Sequence, residues 1–446
     1  MSTIGLSMIV KEGEATIRAC LESVRGIVDQ IVIADTGSTD KSREIAREMG
    51  ATVISVPWEN HFAKARNSAL ELIDTEWVLV LDADEELDRQ QAREFLPELL
   101  QLSKAGGYLV PIRNYIPTRV GRAGERVAVA NDGRHPRARG APAYFAHENC
   151  RLFRRHPEIY FTGRIHELVE PQIVALGLNL LRANFCVHHF GYLDALEERR
   201  KKDLFYRDLL HLKVEEQPND PNNWIWFGLQ EYEKFNNPEE ALRCFERALV
   251  LDPHATKAWV FTGMVNLTAG RDREALVALE LANPDGESAA LREHLRGDAL
   301  HNLGLLKEAR LAYRKAIKLT GSDPLLESKV GYTEVRLGHK QPGIAKLVRA
   351  AAAMPDVSEI HERLIKAYIV AGMLAEAAEA ADKLTSLFAS PETFLRAASI
   401  RAQLEQWQHT EDLLSAGLKM FPQSTELRNA YGDLERTKLR SALPVS

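Results

Sequence analysis

Residues 77–85 read Trp-Val-Leu-Val-Leu-Asp-Ala-Asp-Glu, and this stretch decides the fold of the first part of the chain. Five apolar residues in a row, followed by acidic ones, predict a strand that is buried on both faces and ends before Asp82. Such strands are typical of a mostly parallel, doubly wound sheet with helices on both faces. Ligands bind at the carboxyl ends of strands in these sheets, so Asp82 and Asp84 are candidate site residues.

The segments around this strand alternate in the manner of an α/β domain. Apolar or β-branched runs predict strands at 4–10, 30–34, 52–56 and 77–81. Helical spacing predicts helices at 14–26, 41–49 and 62–73. Residues 113–150 are rich in Arg, Gly, Pro and Ala, and predict an irregular, mobile excursion.

The second half of the chain repeats. Glycines recur every 34 residues, at positions 263, 297 and 331 and again at positions 270, 304, 338 and 372. This period, with small residues where two helices cross, is typical of tetratricopeptide repeats that stack into a superhelix. We expect about five or six repeats, closed by a polar capping helix at 425–440. The predicted domains are 1–195, a helical linker at 196–220, and the repeats at 221–446.

Composition excludes several classes of protein. The chain has 446 residues and a net charge of −6, which argues against an overall basic surface for nucleic acid. Four cysteines are widely spaced without a C-x-x-C pair, which predicts buried core residues rather than disulfides or a structural zinc site. We find no signal peptide and no apolar run long enough to span a membrane, so we expect a cytoplasmic protein.

Asp82 and Asp84 form a D-x-D pair where a buried strand leaves the sheet. Two such carboxylates can bind a hard divalent cation, with water and phosphate oxygens as its other ligands. A cation there would balance the charge of a leaving diphosphate. The alternative is a solvated turn after a strand, because D-x-D alone is a weak motif. The glycine-rich dinucleotide and P-loop motifs and the H-E-x-x-H zinc motif do not occur.

The order of several motifs is more specific than any one of them. They are LSMIVKE at 6–12, IVIADTGSTD at 31–40, FAKARN at 62–67, RLFR at 151–154, FTGRIHE at 161–167 and VHHFGY at 187–192. With the C-terminal repeats, they resemble inverting family 2 glycosyltransferases, in the subgroup that includes bacterial S-glycosyltransferases acting on bacteriocin peptides. The resemblance implies a GT-A domain, which is the Rossmann-like α/β fold of nucleotide-diphospho-sugar transferases, followed by an all-α tetratricopeptide superhelix.

The resemblance also implies roles for individual residues. Those assigned to the nucleotide-sugar are Val10, Lys11, Glu12, Asp35, Arg66, Asn67, Asp82 and Ala83. Arg66 would meet a phosphate and Asn67 the nucleoside, although Arg66 in a surface ion pair is the alternative. The implied ligands of a divalent metal, Mn²⁺ or Mg²⁺, are Asp84, Asp82 and His189 of the H-x-G-Y motif. His188 is the adjacent competitor, and a buried core histidine is the alternative for both.

Inverting transfer requires a base that takes the proton of the acceptor. The E-D motif that supplies this base in many family members is not clear in this sequence. Glu167 is the first candidate, with His166 beside it, and Glu85 and Asp84 are alternatives. The Arg-rich stretch at 119–139 is an acceptor lid, a segment that contacts the donor phosphates when closed, or a solvated, disordered loop.

The resemblance therefore implies an inverting, metal-dependent glycosyltransferase of the hexosyltransferase type. It would move a sugar from a nucleotide-sugar donor to a peptide or protein held by the repeats, which could also dimerise with a second copy. Two alternatives remain open. One is a transferase acting on a lipid-linked or cell-surface glycan precursor, and the other is a non-enzymatic scaffold with a relic transferase domain.

Overall fold

The chain forms two compact units, Met1–Leu251 and Asp252–Ser446. The computed structural model describes residues 2–102, 104–118, 122–123, 126–286 and 288–442. Within these ranges, no helix is long and apolar enough to span a membrane.

The first unit contains twelve strands among the described residues and eight α-helices. The strands are β1 (Ile4–Val10), β2 (Gln30–Asp35), β3 (Thr52–Ser55), β4 (Trp77–Val80), β5 (Glu85–Leu87), β6 (Ala105–Ile116), β7 (Arg122–Ala123), β8 (Arg126–Val127), β9 (Val129–Ala130), β10 (Ala143–Arg154), β11 (Asn179–Arg182) and β12 (Val187–His189). The helices are α1 (Ile17–Ser23), α2 (Ser42–Glu48), α3 (Phe62–Leu70), α4 (Arg89–Leu99), α5 (Glu170–Ala175), α6 (Leu196–Glu216), α7 (Pro221–Phe235) and α8 (Pro238–Leu251).

One large sheet organises this unit, in the order β3-β2-β1-β4-β10-β6-β12-β5. The first four strands are parallel, as predicted. Beyond β4 the sheet is mixed, because β10 is antiparallel to both β4 and β6, whereas β12 is parallel to β6. Strand β11 adds to β6, and β9 adds to β10.

The strand at 77–80 is buried on both faces, as its apolar run predicts. Trp77 and Leu79 pack into a core with α1, α2 and α4. Val78 and Val80 pack on the other face, in a core with α3 and α5. The two faces of the sheet are therefore both covered by helices, which leaves the carboxyl edge of β1, β2 and β4 for a site.

The prediction of an irregular excursion over 113–150 is wrong at both ends. Strands β6 and β10 extend into this range and pair with each other, with Ile116 opposite Ala143. The Arg, Gly and Pro composition of the connection obscured the alternating buried positions of the two strands. Residues 119–121 and 124–125 of the predicted lid lie outside the described residues.

Helices α6, α7 and α8 pack with the α/β part of the first unit. Leu209, Phe227 and Cys244 share one buried cluster with Ile165, and Trp58 and Phe62 pack against it. Helix α6, which the sequence predicts as a linker, and the first helix pair, α7 and α8, therefore pack as part of this unit. The predicted domain boundaries at 195 and 220 stay a prediction.

The second unit is a stack of helix pairs. Its helices are α9 (Thr256–Thr268), α10 (Asp272–Leu281), α11 (Ala289–Asn302), α12 (Leu306–Thr320), α13 (Pro324–Arg336), α14 (Lys340–Ala353), α15 (Ser358–Ala371), α16 (Leu374–Leu387), α17 (Pro391–Gln403), α18 (Trp407–Met420) and α19 (Thr425–Ala442). A Cβ at Gly263 would lie 2.6 Å from Leu279, and one at Gly297 would lie 2.5 Å from Tyr313. The series at 263, 297 and 331 therefore marks close helix crossings, whereas the glycines at 270, 304, 338 and 372 have a positive φ and no such contact. This pattern confirms the repeat interpretation.

Candidate functional site

The carboxyl edge of the parallel strands brings the predicted donor-binding segments together. Val10 pairs with Asp35 across β1 and β2, and the Thr36 N–H donates to the Val10 carbonyl at 2.9 Å. Strand β4 lies on the other side of β1, and Asp82, Ala83 and Asp84 follow it. The three strand ends thus share one edge of the sheet, as the sequence predicts.

Asp84 and His189 form the centre of the site. Asp84 Oδ2 lies 3.3 Å from His189 Nε2. Strand register explains the meeting, because His189 pairs with Glu85 of β5 and with Asn114 of β6. The Asp84 carbonyl also accepts from the Phe190 N–H at 3.4 Å.

Asn114 orients the His189 ring. The Asn114 amide nitrogen donates to the Phe145 carbonyl at 3.1 Å, which identifies Oδ1 as the free acceptor. His189 Nδ1 lies 2.7 Å from this oxygen and therefore donates to it. In neutral imidazole this leaves the lone pair on Nε2, the atom that faces Asp84.

The charges around Asp84 and His189 stabilise each other. Burial alone would raise the pKa of Asp84, but the hydrogen bond and charge of His189 lower it overall. Burial would likewise lower the pKa of His189, but Asp84 raises it. The Lys202 ammonium of α6 lies 3.8 Å from Asp84 Oδ2, so positive charge is already favoured at this carboxylate.

Space beside the pair depends on Gly191. A Cβ built there would lie 2.7 Å from His189 Nε2 and 2.9 Å from Asp84 Oδ2. Both distances are shorter than a carbon can approach these atoms without displacement. The glycine of the H-x-G-Y motif therefore keeps a cradle open next to two metal-type ligands.

Asp82 has different partners from Asp84. Its Oδ1 accepts from Arg66 Nη2 at 2.7 Å, and its Oδ2 accepts from Arg151 Nη2 at 3.2 Å. Burial would raise the pKa of Asp82, but the two guanidinium groups lower it well below the usual range. Both oxygens of the predicted metal ligand thus already bind cationic side chains.

Glu85 lies beneath this network and is only 3% exposed. Its Oε1 accepts from Arg151 Nη2 at 2.6 Å, and its Oε2 accepts from the Asp82 N–H at 2.9 Å. Burial raises its pKa to about 7, despite the opposing charge of Arg151. These hydrogen bonds join Glu85 to the loop that carries Asp82, and its role as an alternative base stays a prediction.

Arg66 is buried and bridges two acids rather than lying on the surface. Its Nε donates to Glu167 Oε1 in a short hydrogen bond, while its Nη2 binds Asp82. Its Nη1 is buried and has no hydrogen-bond partner within the described part of the chain. This nitrogen is a donor for which a phosphate or acceptor oxygen is a suitable partner.

Asn67 and His166, two further predicted site residues, both contact other parts of the first unit. The Asn67 amide pairs at both ends with the backbone of Phe161, at 2.9 and 2.8 Å, so it joins α3 to the segment that leads to Glu167. His166 has a positive φ of 55°, and its ring contacts the Trp226 ring edge-on. Their predicted chemical roles stay predictions.

The end of the edge that is predicted to bind the nucleoside is built on a turn. The Asp35 carboxylate accepts from the N–H groups of Gly37 and Ser38, at 3.2 and 3.1 Å. Glu12 Oε1 accepts from the Thr39 N–H at 2.9 Å, while Lys11 is exposed. Glu12 has a φ of 54°, a left-handed conformation held by the Ser38 hydroxyl, which accepts from its N–H at 3.0 Å.

His188 lies on the opposite face of β12 from His189. It is 2% exposed, and its Nδ1 lies 2.8 Å from the Tyr115 hydroxyl. Adjacent residues of a strand face opposite sides, which is why only one of the two histidines reaches Asp84.

Sequence reasoning missed three members of the site: Asn114, Arg151 and Lys202. Arg151 stands in the RLFR motif, so a signal for it existed. Asn114 follows from the register of β12 on β6, for which no local pattern gives a signal.

Comparison with known proteins identifies the two parts of the chain. Residues 7–159 match the family described as Glycosyl transferase family 2. Residues 230–292 and 294–323 match families described as tetratricopeptide repeat. The N-terminal part of the chain is therefore a family 2 glycosyltransferase domain, and tetratricopeptide repeats follow it.

Three relatives illustrate the match. A TPR repeat-containing protein of Synechococcus elongatus is 28% identical over 70% of this chain and 72% of its own length. The SPbeta prophage-derived glycosyltransferase SunS of Bacillus subtilis is 23% identical over 55% of this chain and 53% of its own. An uncharacterized glycosyltransferase of Rickettsia felis is 37% identical over 20% of this chain and 31% of its own. The chain thus spans about half or less of the two relatives named as glycosyltransferases.

Proposed function

We propose that this protein is a glycosyltransferase that moves a sugar from a nucleotide-sugar donor to an acceptor, with inversion and with the help of a divalent metal ion. One observation carries the proposal. Asp84 and His189 lie 3.3 Å apart at the carboxyl edge of a family 2 glycosyltransferase domain, beside a cradle that Gly191 keeps open.

The residues present fit a divalent ion. Two ligands of one such ion lie about 3 Å apart, close to the separation of Asp84 Oδ2 and His189 Nε2. The Asn114 hydrogen bond leaves Nε2 as the ligand atom. A carboxylate with an imidazole favours Mn²⁺ over Mg²⁺. When bound, the ion supplies charge that balances the leaving diphosphate.

Asp82 serves the site through its two arginines. It binds Arg66 and Arg151 at once, so it keeps both guanidinium groups beside the cradle and does not bind the ion directly. Arg66 Nη1 then donates to a donor phosphate. In this proposal Val10, Asp35 and Glu12 form the nucleoside end of the groove with Lys11 and Ala83, and Asn67 positions the segment that carries Glu167.

Glu167 acts as the base in a single in-line displacement. The acceptor attacks the anomeric carbon, its proton passes to the Glu167 carboxylate, and the nucleoside diphosphate leaves with the electrons of the broken bond. Arg66 binds Oε1 and so fixes the carboxylate while Oε2 receives the proton. His166 positions this turn through its contact with Trp226.

The repeats supply the acceptor side. Helical repeats offer concave surfaces that suit extended peptides. Within the second unit, a groove of about 420 Å³ is lined by side chains of four successive repeats, among them Asp298, His301, Lys329 and Tyr332. A peptide or protein acceptor is therefore the form of the proposal that the repeats favour. The predicted cytoplasmic location stays a prediction.

A screen of UDP-, GDP-, dTDP- and CMP-sugars with and without Mn²⁺ tests the proposal. One donor should raise the melting temperature only when the ion is present, since stabilisation follows RT ln(1 + [L]/Kd). Asp84→Ala should abolish the response. Transfer to peptides but not glycans would support the peptide form, and the reverse would support a lipid-linked or cell-surface glycan acceptor. No response to any donor would favour a non-enzymatic scaffold.

A further inference from the structure

A second cluster of metal-type ligands lies on the far side of β12 from His189. It consists of Asp88, Cys186 and His188, whose ligand atoms all lie within 4.8 Å of one another. His188 Nε2 is 3.8 Å from Cys186 Sγ and 3.5 Å from Asp88 Oδ2. No residue of this cluster takes part in the proposed transfer.

The two separations measured from His188 fit one small cation. In a tetrahedral zinc site, bonds of about 2.0–2.3 Å place neighbouring ligand atoms about 3.3–3.8 Å apart. Both distances measured from His188 Nε2 fall within this range. The site lies between β12 and the loop from β5 to α4, since the Asp88 N–H donates to the Cys186 carbonyl at 2.9 Å.

Two of the three ligands are already oriented by another residue. The Tyr115 hydroxyl holds His188 Nδ1 at 2.8 Å, which directs Nε2 to the cluster. Asp88 Oδ1 caps α4 by accepting from the Gln91 N–H at 3.0 Å, so that Oδ2 is the oxygen facing His188. Such outer contacts fix ligand geometry in metal sites.

His135 lies beside His188 but outside the group of ligand atoms that are within 4.8 Å of one another. Its ring centroid lies 4.2 Å from that of His188. Its Nε2 lies 3.3 Å from Glu86, and its Nδ1 is buried and finds no hydrogen-bond partner in the described ranges. One thiol, one imidazole and one carboxylate form a mixed soft and borderline set that selects zinc over magnesium or calcium.

We propose that Asp88, Cys186 and His188 bind a structural zinc ion, with water as the fourth ligand. Binding replaces the thiol proton of Cys186 by the metal ion, and that proton leaves to solvent. The ion ties β12 to the start of α4, and β12 carries His189 on its other face. This proposal departs from our expectation, based on cysteine spacing, that the chain has no structural zinc site. It does not depend on the transferase activity.

Metal content of the purified full-length chain tests the proposal. The chain is expressed without a histidine tag in zinc-supplemented medium, dialysed, and analysed by plasma mass spectrometry. We expect about one zinc per chain in the wild type and at least a tenfold loss in Cys186→Ser and Asp88→Asn. Asparagine keeps the helix cap, so Asp88→Asn separates loss of the metal from loss of the fold. Circular dichroism verifies folding of each variant.

Two controls distinguish this site from the transfer site and from other thiols. Asp84→Ala and Cys244→Ser should keep the zinc. Substitution by Co²⁺ should give a thiolate-to-cobalt charge-transfer band in the wild type and Cys244→Ser, and none in Cys186→Ser. A wild type without zinc, zinc retained in folded Cys186→Ser or Asp88→Asn, or zinc lost in Asp84→Ala would each overturn the proposal.

Discussion

Gly191 is the residue on which access to the Asp84–His189 pair depends. We predict that Gly191→Ala weakens Mn²⁺ binding at least about tenfold, because the added Cβ would lie within 3 Å of both ligand atoms. Electron paramagnetic resonance of free Mn²⁺ measures this affinity. The matched control is Gly140→Ala, where a Cβ would meet nothing within 4 Å. Equal affinities in the two variants would contradict this role.

Asn114 supports the same site from a distance. Asn114→Ala removes the acceptor that fixes the His189 ring, and loss of such an outer partner raises a metal dissociation constant about 10–100-fold. Titration calorimetry with Mn²⁺ checks this expectation. Asn179→Ala, at an exposed position of β11, should leave the affinity unchanged. The prediction fails if Asn114→Ala binds Mn²⁺ as the wild type does.

For single residues, the sequence predicts which residue types form the site better than it predicts their hydrogen-bond partners. Asp82 and Asp84 belong to one motif, yet Asp82 binds two arginines and Asp84 meets His189. The difference depends on Arg151, which lies on β10 and binds Asp82. The local spacing of the motif does not show that β10 lies next to this loop. The choice between His188 and His189 likewise requires the register of β12.

Among the secondary-structure elements, the close helix crossings of the repeats lead to a prediction about stability. Gly297→Ala should lower the free energy of unfolding by about 1–3 kcal/mol, because its Cβ would overlap the Tyr313 ring. Gly432→Ala is the matched control in α19, where a Cβ meets nothing within 4 Å. There alanine should be neutral or stabilise the helix by up to about 1 kcal/mol. Urea unfolding compares the two, and equal losses would count against close packing at Gly297.

An ion pair between α11 and α13 gives a pH-dependent prediction. The Asp298 carboxylate accepts from Lys329 Nζ at 2.6 Å and from the Tyr313 hydroxyl at 2.8 Å. Burial alone would raise its pKa, but the Lys329 ammonium lowers the pKa from 3.8 to about 2. Its contribution to stability is therefore present above pH 3.8 and is lost as the pH falls towards 2.

Asp298→Asn should accordingly cost about 3 kcal/mol at neutral pH, since it leaves a buried lysine without its charged partner. The cost should shrink steadily as the pH is lowered from 4 to 2. Chemical unfolding across this range measures it, with Glu198→Gln of an exposed pair as the control. A penalty that does not vary with pH would show that the ion pair is not its source.

Elements formed by local patterns could be predicted, whereas those formed by distant pairing could not. The strands and helices between residues 4 and 81 each follow from their own apolar spacing, and the structure has them within a few residues. Strands β6 and β10 stabilise each other across a long Arg-rich connection. Their pairing partner, rather than their composition, makes them strands.

The whole molecule joins a transferase domain to a repeat array, and the 34-residue period predicts the array from sequence alone. The period does not reveal that α7 and α8 belong to the first compact unit. That assignment depends on the cluster around Leu209, Phe227 and Ile165, which brings together segments far apart in sequence. The choice of acceptor is also a property of the whole molecule, because we assign sugar transfer to the α/β domain and acceptor binding to the repeats.

The most direct test measures release of nucleoside diphosphate by the full-length protein from the donor that the screen identifies. With Mn²⁺ and acceptor, we predict turnover that stops on chelation and falls at least about a hundredfold in Asp84→Asn and His189→Ala. Glu48→Gln, an exposed substitution in α2, should retain the wild-type rate. Turnover that survives chelation, or Asp84→Asn working as fast as the wild type, would contradict a metal ion held by Asp84 and His189.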